Sequence, residues 1–365
     1  VNIVGLESIV LQSEVKRPVS DALHTFDAGT TVVTKVHTDE GIVGCATTHF
    51  GRAKAGAAIL KTILDKEIAP LLIGEDPHFS RKVREKLWFA TEYYGVTGIT
   101  QFAVAAVDIC LWDIVGKASG KPVCHLLGGA RDRIPAYAMV GWYYERERDY
   151  LEHCVAAVEE GFKAIKLKVG KHSLEDDIRR IESVRNEVGP DVTLMVDANQ
   201  IFDETEALRR GRAYQELGIY WYEEPLAPYR TEGYVRLSQK LDIPIALGEN
   251  YYTRHQFYDA IRMNAGAIYQ PDNRRTGGVT EWMEIGALAE AAGRKIASHG
   301  GGAGNVNILC ALPNAVFLES GSLKHQEQGM FATELQLIDG SILLPSVPGM
   351  GTEVREAYIQ KHRVS

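Results

Sequence analysis

VTLMVDANQIFDETEALRRGRAYQELGIYWYEE, residues 192–224, is the stretch on which the fold turns. A short apolar run, 192–197, ends in a carboxylate. A helical stretch through Leu208 and Tyr214 follows and is stopped by Gly218. A second apolar run, 219–223, again ends in a carboxylate. Strand, helix and strand at this spacing make one parallel βαβ unit. The unit repeats on both sides. Residues 164–169, 243–249, 267–272, 295–299 and 315–319 read as further strands. Ser173-Leu174-Glu175-Asp176 reads as a capping box opening a helix with Ile178, Ile181, Val184 and Val188 inward. GVTEWMEIGALAEAAG, residues 278–293, supplies another helix. Alternation that starts near residue 133 and yields about eight strands closes into a barrel.

Upstream the pattern differs. Residues 3–11 and 30–37 are β-rich, and Asp39-Glu40-Gly41 between Val36 and Ile42 signals a hairpin. Residues 56–90 and 100–118 read as helices, the second with Phe102, Val104, Ala105, Val107, Asp108, Leu111, Trp112 and Ile114 on a broad apolar face. Strands followed by helices make an α+β domain. The Gly- and Pro-rich stretch after Gln328 is expected to return to it. The expected division is a capping domain over 1–130, a barrel over 131–329, and a returning segment over about 330–365.

The 365 residues are 45% hydrophobic and 24% charged, enough for a large core. A formal net charge of −8 argues against nucleic acid as the main partner and leaves room for a local pocket that takes an anionic small molecule. Five scattered cysteines without a CxxC pair read as free thiols in a reducing cytoplasm. No unbroken apolar run reaches the length of a bilayer span, and residues 1–10 show no basic-then-apolar leader. The expected protein is a cytoplasmic homo-oligomer with neither a membrane nor a nucleic-acid partner.

Each barrel strand ends in an ionisable residue. Lys166 and Lys168, two apart on one strand, point to one face. Asp197, Glu223 and Glu249 end the next three strands, 26 residues apart each time. Asp272, His299 and Glu319 end the following three. Strand C-termini of a barrel converge on one mouth, so all eight side chains are brought together. Three carboxylates in such a mouth repel one another unless they hold a cation, and a hard oxygen donor set fits Mg²⁺. Alternation places Glu223 on the metal and turns Glu224 toward the adjacent loop. Singly, each residue has an ordinary explanation. A strand-end Asp caps the next helix, a lone His is a bonded core residue, and a Lys lies along the surface. The glycines in 300–304 lack the Lys-Ser/Thr of a phosphate loop. The ordered set is what argues for chemistry.

That set resembles the enolase superfamily, and within it the mandelate racemase subgroup. The matching pieces are IKLKVG at Lys166 and Lys168, VDANQ at Asp197, WYEEP at Glu223, LGENY at Glu249, QPDNRRTGGVTEW at Asp272, IASHG at His299 and FLES at Glu319, with residues 106–129 similar to the N-terminal signature. The resemblance implies a (β/α)7β TIM-like barrel under an α+β cap, one catalytic Mg²⁺, and abstraction of the proton α to a carboxylate by a Lys or His base. It implies Lys168 as one base, made neutral by nearby cations, and His299 as the opposite acid/base group oriented by Asp272. Lys166 would add positive charge to the carboxylate, and Glu319, if protonated, would donate to an enediolate oxygen.

With a β-hydroxyl on the substrate, this pair eliminates water from a sugar acid, aldonate or aldarate, to a 2-keto-3-deoxy acid. Without one, it racemises, epimerises or cycloisomerises. Dehydration is the favoured reading, and small residues after His299 imply a roomy cavity. Asn199, with Lys16, Arg17 and His24 of the capping loop VKRPVSDALHTF, residues 15–26, are the expected substrate contacts, the loop being otherwise simply solvated. A non-catalytic binding protein on the same barrel would have lost a ligand or a base, and neither is missing here.

Overall fold

The computed structural model describes residues 1–53, 55–146, 148–324 and 329–364. Ser365, at the end of the expected returning segment, lies outside them.

Alternating β-branched residues build the cap sheet. Strands β1 (Ile3–Ser13), β4 (Gly29–Thr38) and β5 (Val43–Phe50) pair antiparallel in the order β1-β4-β5. The loop between β1 and β4 carries a two-residue hairpin, β2 (Val19–Ser20) with β3 (Thr25–Phe26). The helical stretch over 56–90 is not one helix. It runs as α1 (Gly56–Ile63), a π-helical turn over Leu64–Ile68 and α2 (Ala69–Leu72), then breaks before α3 (Ser80–Thr91). Gly74 at φ +81° and Pro77 sit in that break, and neither continues a helix.

Helix α4 (Ile99–Ala118) lies directly on the sheet: a Cβ on Gly44 would sit 2.1 Å from the Cys110 carbonyl oxygen. Asp108, Asp113 and Lys117 break its apolar run, as the sequence reading has it, though by length and composition alone this 20-residue helix is apolar enough to cross a membrane. In the fold, 78% of its apolar window is buried. Its buried acids act as bolts. Asp108 accepts from the Thr280 amide and hydroxyl at 2.9 and 2.6 Å, and burial pushes its carboxyl up to about 6 against those bonds. Asp113 accepts from the amides of Cys45 and Met350. A short helix, α5 (Val123–Leu126), leads to the barrel.

The barrel has eight parallel strands: β6 (Arg133–Gly141), β7 (Ala164–Lys168), β8 (Thr193–Asp197), β9 (Tyr222–Glu223), β10 (Ile245–Leu247), β11 (Ile268–Tyr269), β12 (Lys295–Ala297) and β13 (Ala315–Ser320). Each pairs with the next, and β13 closes on β6. The intervening helices are α6 (Asp149–Glu160), α7 (Leu174–Val188), α8 (Glu204–Glu216), α9 (Thr231–Lys240), α10 (Arg254–Arg262), α11 (Gly278–Ala291) and α12 (Ala303–Ala311), giving a (β/α)7β order. The capping box of α7 forms: Asp176 N donates to Ser173 Oγ at 3.1 Å and Ser173 N to Asp176 Oδ2 at 3.2 Å. Tyr137, Met139, Met195, Trp221 and Ile268 fill the barrel interior. Several strands stop earlier than read, because the chain leaves the ladder just before Glu249, Asp272 and His299.

The C-terminal segment does not go straight to the cap. Strands β14 (Leu337–Ile338) and β15 (Ser341–Leu343) first extend β6 antiparallel. Val354 and Ile359, the latter on α13 (Glu356–His362), then pack with Ile9, Leu11, Val33 and Cys45 of the cap sheet.

Candidate active site

Parallel register puts Asp197 beside Glu223 at the ends of β8 and β9, and Glu249 follows two residues past β10. All three are buried, and one carboxylate oxygen of each lies within 4.8 Å of the others. The register is the expected one, with Glu223 rather than Glu224 in the cluster. Each carboxylate is met by a basic side chain, and Asp197 by a second, Lys166 at 3.6 Å. Lys168 Nζ donates to Asp197 Oδ2 at 2.6 Å, Lys166 Nζ to Glu223 Oε1 at 2.6 Å, and His299 Nε2 lies 3.4 Å from Glu249 Oε2. Trp221 Nε1 and Gln270 Nε2 donate to the other oxygen of Glu223 at 3.1 and 2.8 Å.

The electrostatics ask for a cation. Burial, then the charge of Asp197, pushes the Glu223 carboxyl up to about 8, although Lys166 pulls the other way. Asp197 is held below the ordinary value: burial opposes this, but Lys168 and Lys166 outweigh it. Three hard oxygen donors, dry and still mutually repelling after two lysines are counted, fit Mg²⁺.

Lys166 is wholly buried and bonds Glu319 Oε2 at 2.7 Å and the Tyr137 hydroxyl at 3.2 Å. In the chain alone the charges around Glu319 favour its carboxylate form. Burial would raise its carboxyl, but Lys166, then His299, hold it well below the usual range. It accepts from Lys166, from Tyr137 Oη at 2.7 Å and from Gly300 N at 3.0 Å.

Lys168 stands over the Trp142 ring at 4.7 Å, and Phe26 of β3 meets that ring edge-on at 5.2 Å. The amine was expected to be neutral. In the chain alone its pKa is raised: burial lowers it, but the Asp197 carboxylate prevails. Neutrality therefore depends on charge being placed on Asp197 from elsewhere.

Asp272 Oδ2 lies 2.8 Å from His299 Nδ1, the orienting contact expected from sequence. Arg274, which the sequence reading did not select, grips the same carboxylate through Nε at 2.9 Å and Nη2 at 2.7 Å. Burial opposes ionisation of Asp272, but Arg274 and His299 keep it far below its usual value. His299 is raised: burial opposes this, and Glu249 and Asp272 overcome it.

The remaining candidates scatter. Glu224 faces the adjacent loop, as read from sequence, meeting Asn250 between β10 and α10. It is buried at φ +35°, takes a 2.6 Å bond from Asn250 Nδ2, and is pushed well up by burial and then Glu249. Asn199 is buried beside Asp197 and donates its backbone N–H to Asp197 Oδ1 at 2.9 Å, while its side-chain Oδ1 has no partner among the described residues. Lys16 and Arg17 are exposed. His24 faces Asp21 at 3.2 Å, and Asp21 is occupied by the amides of Leu23 and His24. Ser20 ties this hairpin to Tyr143 by reciprocal backbone bonds of 2.9 and 3.0 Å. A cavity of about 660 Å³ opens beside Arg274, against Gly301–Gly304 and the cap residues Thr31, Thr47 and His49.

Tyr137, Trp142, Gln270, Arg274 and Phe26 are the members of the site that sequence reading missed. Trp221, also not selected, sits two residues before Glu223 in an extended run, hence on its face, and donates to it. That signal was present.

Residues 149–358 match the family model described as enolase C-terminal domain-like, and residues 6–128 the one described as mandelate racemase / muconate lactonizing enzyme, N-terminal domain. The arabinonate dehydratase of Saccharolobus solfataricus is 34% identical over 343 residues, covering 91% of this chain and 90% of that protein. The L-talarate/galactarate dehydratase of Salmonella typhimurium is 35% identical over 328 residues, covering 89% and 80%. A solved racemase from Streptomyces coelicolor with bound magnesium superposes with a TM-score of 0.93 at 28% identity, covering 99% of this chain and all of that one.

Proposed function

The chain belongs to the enolase superfamily, in its mandelate racemase subgroup, and from that premise we propose that it is a magnesium-dependent acid-sugar dehydratase. Abstraction of a proton α to a carboxylate is the chemistry of its family, and the two curated relatives described above are named as dehydratases of arabinonate and of L-talarate/galactarate. The observation that carries the reading is the arrangement of bases around the carboxylates: Lys168 on Asp197 at one end, His299 at Glu249 on the other.

Asp197, Glu223 and Glu249 are the residues to hold Mg²⁺, which when bound supplies positive charge to the substrate carboxylate as it gains electron density. Lys166, fixed between Glu223 and Glu319, adds a second positive charge from the barrel floor. Lys168 removes the α-proton. Its hydrogen bond to Asp197 must weaken first, because an ammonium is no base. The electron pair of that C–H bond forms the α–β double bond, and the β C–O bond breaks. His299 gives its Nε2 proton to the departing hydroxyl, which leaves as water. Asp272 accepts from Nδ1–H throughout and stabilises the imidazolium, so the proton that His299 can give up is the one on Nε2. The resulting enol rearranges to a 2-keto-3-deoxy acid. For a substrate without a β-hydroxyl, the opposed groups return the proton from the other side and the outcome is racemisation. The same geometry supports that second reading, and the relation to a solved racemase favours it as the alternative.

A panel of aldonates and aldarates, incubated with Mg²⁺ and assayed for 2-keto acids, tests the proposal. Turnover of one configuration, lost with EDTA and restored by excess Mg²⁺, is expected. Inversion at the α-carbon without keto acid would replace dehydration by the racemase reading.

A further inference from the structure

We infer that Arg274 reads the far end of the substrate and makes the enzyme selective for dicarboxylic sugar acids over monocarboxylic ones, an inference that rests on the dehydratase reading. A guanidinium carries five N–H donors in a planar fork. Asp272 takes the Nε edge of Arg274, at 2.9 and 2.7 Å. The Nη1–Nη2 edge remains, and among the described residues no protein acceptor meets Nη1. The side chain is 28% exposed, and it lines the cavity of about 660 Å³ between cap and barrel.

The rest of that cavity suits a hydroxylated anion. Thr47, Thr333 and Thr352 line it with hydroxyl-bearing side chains, and Gly301 adds backbone. Its one carboxylate among the described lining residues, Glu334, is occupied by Arg355 at 3.0 Å. A carboxylate entering here meets a guanidinium edge already oriented by a buried anion, the geometry of a two-point charged bond. A monoacid of the same length ends in a hydroxymethyl group and leaves that edge without an anionic partner.

Position is consistent with a far-end role. Asp272 Oδ2 is shared by His299 Nδ1 and Arg274 Nη2, at 2.8 and 2.7 Å. His299 turns its other nitrogen to Glu249, so Arg274, joined to His299 through Asp272, links the cavity it lines to the histidine that faces the carboxylate cluster. Gly300 lets Arg274 adopt this posture: a Cβ there would sit 2.6 Å from Nη2.

The test compares kcat/KM for six-carbon aldarates and aldonates matched in configuration at the reacting carbons. The wild type should favour the aldarate by about 10- to 100-fold, the worth of a hydrogen-bonded charge pair. Arg274→Met should slow both substrates by loosening Asp272, and should bring the ratio toward one. Thr47→Asp leaves the Arg274–Asp272 pair in place and sets a like charge in the cavity. It should raise KM for the aldarate more than for the aldonate. An aldonate-preferring wild type, or a ratio that neither variant moves, overturns the inference while dehydration itself stands. Absence of turnover on every acid overturns the dehydratase reading and this inference together.

Discussion

Asp272→Asn tests the histidine dyad by changing two atoms' worth of chemistry in an unchanged volume. Asp272 accepts four bonds: His299 Nδ1 at 2.8 Å and Arg274 Nη2 at 2.7 Å on Oδ2, Arg274 N at 2.8 Å and Nε at 2.9 Å on Oδ1. An asparagine has one acceptor oxygen. If it keeps the Arg274 N and Nε bonds, its amide faces His299 and Arg274 Nη2 as a donor. Nδ1 must then become the acceptor, a proton is left fixed on a neutral imidazole, and the positive form loses its neighbouring charge. Asp272 raises the His299 pKa, so its loss lowers it. A wrong tautomer in a comparable buried dyad costs about 10⁴ in kcat, and a loss of about 10³–10⁴ is expected here. Removing one partner of a buried pair costs about 3–5 kcal/mol, but Arg274 is partly exposed and can turn to water, so about 2–3 kcal/mol is expected. The assay is kcat for keto acid formation at saturating Mg²⁺, with thermal unfolding measured alongside. A kcat within about tenfold of wild type in a folded variant would refute the claim that Asp272 orients His299.

Glu249→Gln, at the more accessible end of the carboxylate set, should weaken Mg²⁺ binding by about 10- to 100-fold. Calorimetry should show this while the melting temperature of the metal-free protein stays near wild type; undiminished affinity would place the ion elsewhere. Mg²⁺ affinity should rise with pH. Glu223 in the metal-free fold sits at about 8 against an ordinary 4.5, so its proton stabilises the folded chain fully below about 4.5. That contribution fades as pH rises through about 8, while the ligand form becomes available to the metal. Titrations between about pH 6 and 9 should therefore show increasing affinity that levels above about 8, and a flat profile would mean that Glu223 is ionised throughout.

The barrel was legible because its signal is repeated: apolar run, carboxylate, helix, over and over. The carboxylate cluster followed from strand-end position alone, and the Glu223 register from alternation. Other features needed three dimensions. Arg274 next to Asp272 reads as one more arginine until the backbone turns it onto the carboxylate two residues back. Phe26 and Trp142 are 116 positions apart and meet only because the cap hairpin docks at Tyr143. The broken helix over 56–90 was readable from Gly74 and Pro77. Ionisation was least legible of all. In the chain alone the pKa directions of Glu319 and Lys168 follow the nearest opposite charges, and spacing along a chain does not rank distances of 2.6 against 3.6 Å.

Hydrogen exchange at the α-carbon in D₂O tests the two-sided acid/base claim most directly. The substrate is the sugar acid that the panel identifies, and the variants are Lys168→Ala and His299→Asn, each with Mg²⁺ bound. Both variants should abolish keto acid formation, and they should differ in exchange. The Lys168→Ala protein, lacking the base, should leave the α-proton untouched. The His299→Asn protein should still exchange it, because Lys168 can remove and return a proton while the hydroxyl waits for an acid. Wild-type dehydration by both variants would contradict the account, since neither group would then belong to the reaction.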